Sequence, residues 1–69
     1  MITIKAIDIL KEANKYQVRE IHDGGRSGLV YENYGKPIFS EPQAILRARR
    51  HKVDIAHDVD YWGITEAAS

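Results

Sequence analysis

The densest charge in the chain is Arg47-Ala48-Arg49-Arg50-His51-Lys52, with Asp54, Asp58 and Asp60 close behind it. Guanidinium groups at this spacing on a helix can contact phosphates or enter a major groove. Arg47, Arg49, Arg50, His51 and Lys52 therefore form a candidate nucleic-acid surface, with Arg47, Arg50 and His51 on its outward arc. Two facts oppose that reading. The formal net charge is zero, so no long-range field draws in a polyanion. Positive charge in the last turn of a helix also has a purely structural use against the helix dipole. The acidic segment can moreover neutralise the basic one, pairing Arg49 and Arg50 with Asp54, Asp58 and Asp60.

His57-Asp58-Val59-Asp60 holds ligand types suited to zinc. Strand alternation, however, sends His57 and Asp58 to opposite faces, and the segment reads as an acidic strand face. No metal site is assigned. The pair His22-Asp23 precedes Gly24-Gly25, where the aspartate is expected to close an Asx turn. Cysteine is absent, and Ser27, Ser40 and Ser69 fall in a glycine turn, a helix cap and the terminus. The loop Asp23–Gly28 lacks the lysine spacing and strand–loop–helix context of a phosphate-binding motif. No catalytic residue, cofactor or small-molecule substrate is expected, and the chain does not read as an enzyme.

The remaining lead is aromatic. Trp62-Gly63-Ile64 follows the last predicted strand, where local core is scarce, and aromatics with arginine are typical interface anchors. Trp62, Ile64, Tyr31 and Tyr34, rimmed by Arg47 and Arg50, make a candidate partner surface. The leading expectation is a non-catalytic binding or regulatory module of accessory or inhibitor type, a class that includes phage-borne factors. It would act through a protein partner or a second copy of itself. The alternative is a nucleic-acid-binding regulator using the basic helix.

These residues need elements to hold them. Residues 4–14 read as an amphipathic helix with Ala6, Ile7, Ile9, Leu10 and Ala13 on one face and Thr3 as its cap. Tyr16–His22 reads as a strand in which one bulge reconciles Val18 with Ile21; a continuation of the first helix is the rival. Leu29–Tyr34 is a strand after a glycine turn. Ser40, Pro42 and Gln43 open a helix over Glu41–Lys52, with Ala44, Ile45 and Ala48 inward and Leu46 beside them. Val53–Trp62 alternates as a final strand.

The expected class is α+β, a small antiparallel sheet of three to four strands with two helices in the order α-β-β-(β)-α-β. Over residues 4–52 the order αβββα resembles the double-stranded RNA-binding topology, but that family's lysines are replaced here by Glu41, Pro42 and Gln43. No family is assigned. With 69 residues, 43% of them hydrophobic, the chain suits one compact domain over residues 1–64 with a frayed tail at 65–69. Its apolar runs are too short to span a membrane, which points to a cytoplasmic protein.

Overall fold

A computed structural model of the chain describes residues 4–55 and 58–68. Its elements are strands β1 (Ile4–Glu12), β2 (Lys15–Asp23) and β3 (Leu29–Asn33), helix α1 (Glu41–Ile55) and strand β4 (Asp60–Glu66), with one 3₁₀ turn at Gly25–Ser27. The four strands form one mixed sheet in the order β3-β2-β1-β4. The fold is a small α+β domain, with one α-helix among the described residues instead of two.

The predicted first helix is therefore replaced by β1. Ala6, Ile7, Asp8 and Ile9 are all buried, so this strand is covered on both faces and shows no alternation to mark it as a strand. The cap assigned to Thr3 lies outside the described residues. Without that helix, the αβββα likeness lapses. β1 turns into β2 through Ala13-Asn14, with Glu12 opposite Lys15. Ala13 has φ 54°, the left-handed value that a tight hairpin turn needs at its first central position.

β2 is the strand expected at Tyr16–His22, and the rival long helix is excluded. Its parity problem is solved differently from the prediction. Val18 pairs with Ile9 and Ile21 with Ala6, on opposite faces, and both residues are fully buried. The bulge lies in β1, between Ile4 and Ala6. Asp23 closes the expected turn, its Oδ1 accepting the Gly25 N–H at 2.9 Å. β3 then pairs antiparallel with β2, and Ile38 makes a two-way bridge to Tyr16.

The first α-helical hydrogen bond runs from the Ala44 N–H to the Ser40 carbonyl, which puts Ser40 at the predicted cap position. The helix continues past Lys52 to Ile55 and overrides the first residues of the predicted strand Val53–Trp62. Its buried stripe is Ala44, Ala48 and His51, at i, i+4 and i+7. Ile45 and Ile55 pack at the margin of the core, which is built from Ile7, Ile9, Tyr16, Val18 and Val59 of the sheet side.

β4 lies parallel to β1, so the sheet is not purely antiparallel. The β3–α1–β4 connection is a helical crossover that returns the chain in the direction of β1, as parallel pairing requires. β4 carries a register shift at Trp62, with Tyr61 opposite Ile7 and Gly63 opposite Asp8. The strand reaches Glu66 and the Ala67 N–H donates to the Lys11 carbonyl, so the order extends into the segment expected to fray.

On the face away from α1, Asp8 and Arg19 are direct cross-strand partners. The Arg19 Nε and Nη2 reach the two Asp8 carboxylate oxygens at 2.9 and 2.6 Å. Thr65 Oγ1 donates to Asp8 Oδ2 at 3.1 Å, and the Arg19 guanidinium lies 4.3 Å from the Tyr31 ring centroid. Removing one member of a buried ion pair leaves the other uncompensated. Asp8→Ala is expected to lose about 3 kcal/mol in urea unfolding, whereas Asp8→Leu combined with Arg19→Met recovers most of that loss. Ala13→Gly relieves the left-handed strain and should raise stability by about 1 kcal/mol in the same assay.

Candidate functional site

Polar side chains gather where α1 crosses β2 near the β3 edge. Glu20 and Glu32 are direct cross-strand partners, and strand alternation places His22 on the same face as Glu20. His22 Nε2 lies 3.1 Å from Glu20 Oε1 and 3.5 Å from Glu32 Oε2. From the helix, His51 Nε2 sits 2.6 Å from the other Glu20 oxygen. A carboxylate only accepts, so the imidazole N–H groups donate to it. The His51 ring is stacked on Tyr34, with centroids 3.6 Å apart and planes inclined by 14°. Helix, central strand and edge strand thus meet at one carboxylate.

Burial pushes the Glu20 carboxyl up, but the hydrogen bonds from His51 and His22, and the charges of those rings, bring it below its ordinary value of 4.5. Beside this cluster runs an open groove of about 520 Å³, lined by Tyr34, Leu46, Arg47, Arg50, His51 and Asp54 among others. Arg47 is fixed there, its Nη1 donating to the Lys36 carbonyl at 2.9 Å.

The predicted nucleic-acid surface is divided by this arrangement. His51 is buried in the helix stripe, which corrects its outward placement. Its imidazole serves Glu20, and its neighbours Arg49 and Arg50 are exposed, with Arg47 and Lys52 half-buried. Among the described residues no ion pair joins Arg49 or Arg50 to Asp54, Asp58 or Asp60. Asp54 belongs to α1, and Asp58 and Asp60 are exposed. The weighed metal reading at His57 falls outside the described residues.

The predicted partner surface is also divided. Trp62 is 44% exposed and Tyr31 47%, but they stand on β4 and β3, at opposite edges of the sheet. Ile64 is partly buried and packs against the core. Tyr34 is partly used by His51. The Glu20-His22-Glu32 grouping was missed by the sequence reading, although the Glu-x-His spacing on a strand was available to find it.

No family model, curated protein or solved structure matches the chain. No helix among the described residues is long and apolar enough to cross a membrane.

The Glu20 carboxyl titrates below its unfolded value, so its contribution to stability is present above about pH 4.5 and is lost as acidification passes its folded value. The groups facing it are His22 on β2, Glu32 on β3 and His51 on α1. Thermal melts of the parent should fall on acidification below that pH. Glu20→Gln should start less stable at pH 7 and lose less over the same acid range, and parallel slopes for the two chains would refute the assignment.

Proposed function

We propose that the protein is a non-catalytic binding module that docks through the β3 edge of its sheet, with a second copy of the chain as its simplest partner. The observation that carries this reading is the state of β3. All five of its residues are exposed, Leu29 by 39% and Tyr31 by 47%, and its register with β2 is unbroken. Exposed strand edges are normally blunted by charged side chains, proline or a bulge. Leu29-Val30-Tyr31-Glu32-Asn33 has neither proline nor bulge, and Glu32 is its one charge. The opposite edge, β4, is interrupted at Trp62-Gly63 and carries Asp60 and Glu66. The β3 edge thus offers free main-chain groups beside apolar and aromatic side chains, the combination used in strand addition.

Arg49 and Arg50, exposed on α1, support the alternative of a nucleic-acid-binding regulator. The two readings separate cleanly. Sedimentation over rising protein concentration should show a reversible monomer–dimer equilibrium, abolished by Leu29→Lys with the melting temperature little changed. A parent chain monomeric at every concentration removes self-association. Salt-sensitive retention of duplex DNA or RNA, lost in Arg49→Ala/Arg50→Ala, would put the nucleic-acid reading in its place.

A further inference from the structure

Two carboxylates held directly opposite each other across a strand pair repel, yet Glu20 and Glu32 occupy that arrangement. Between them stands one imidazole nitrogen, His22 Nε2, at 3.1 and 3.5 Å. One ligand atom from each of the three residues can be chosen so that all lie within 4.8 Å of one another. We propose that Glu20, His22 and Glu32 form a binding site for a divalent transition-metal cation of the zinc class.

The donor set decides the class. One imidazole nitrogen with two carboxylates suits zinc and its neighbours, whereas magnesium and calcium prefer oxygen donors alone. Three protein ligands leave a fourth position for water or for a donor from a partner, as in open zinc sites. Access is available, because the Glu32 side chain is 63% exposed while those of Glu20 and His22 are mostly covered. His51 completes the design as a positioning residue. Its bond to Glu20 Oε2 fixes the carboxylate and leaves Oε1 turned toward His22. Outer partners of this kind orient ligands at metal centres.

Binding replaces a hydrogen bond with coordination. In the neutral ring the proton passes by way of solvent from His22 Nε2 to Nδ1, which frees the Nε2 lone pair for the cation, and the two carboxylates contribute oxygens without any change in oxidation state. The cation offsets the Glu20–Glu32 repulsion and ties β2 to β3. This site is independent of the docking reading, since it can fill whether or not β3 pairs with another strand.

The full chain, stripped with EDTA, is titrated with zinc chloride by calorimetry and melted with and without the metal. Magnesium chloride serves as a parallel arm. The expected result is one zinc per chain and a raised melting temperature, with no response to magnesium. Glu32→Gln alters an exposed side chain and should leave the fold intact while zinc binding is lost. His22→Ala should lose it as well. Absence of saturable zinc binding by the parent overturns the proposal. So does binding that persists in both variants, because the metal is then held elsewhere.

Discussion

The pair Asp8–Arg19 is a directional constraint to which all four strands connect. Asp8, a residue with only 1% of its surface exposed, has to be satisfied, and its carboxylate accepts from both Arg19 and Thr65. Because side chains alternate along a strand, a slip of one residue would turn Asp8 into the apolar layer beneath α1. The pair therefore selects the register of β1 against β2. Thr65 extends the same constraint to β4, and the stacking of Arg19 on Tyr31 carries it to β3. One ion pair thus links all four strands. Such pairs add little net stability over apolar substitutes, and the role argued for this one is specificity.

The helix-covered face repeats the device with different chemistry. Glu20 is anchored by one histidine from its own strand and one from α1, and Tyr34 stacks on the second. The helix accordingly docks on the sheet through small residues, Ala44 and Ala48, with Ile45 and Ile55 at the margin, plus the directional His51–Glu20 hydrogen bond. Alanines permit close approach but specify little about rotation or sliding. The His51–Glu20 bond supplies what they omit.

Legibility in the sequence followed burial. α1 was readable at its start, where Ser40-Glu41-Pro42-Gln43 gives local signals, and β2 and β3 were readable from β-branched and aromatic content beside the glycine turn. β1 was not, because residues buried on both faces give a continuous run that helical periodicity fits equally well. His51 was misplaced for a related reason. Grouped with its arginine neighbours it looked like surface, whereas Ala44, Ala48, His51 and Ile55 keep helical spacing throughout. The end of α1 hid inside an apparent alternation at Val53–Ile55. The polar cluster was half legible, since Glu20 and His22 share a face on any strand reading. Its third and fourth members come from β3 and α1, and only the pairing of those elements brings them in.

The placement of β4 has a kinetic consequence. The β1–β2–β3 meander closes through short connections and can form early, but it leaves β1 as an unprotected edge. That edge is covered only when Ile7 meets Tyr61 and Ile9 meets Ile64, pairings between the two ends of the described chain. Such distant contacts recover their loop-closure entropy late and slow the search for the native state. During that interval the hydrophobic middle of β1 is open to any strand that arrives first, including the β1 of a neighbouring molecule. Any state in which β4 has not yet docked is therefore the one most exposed to aggregation.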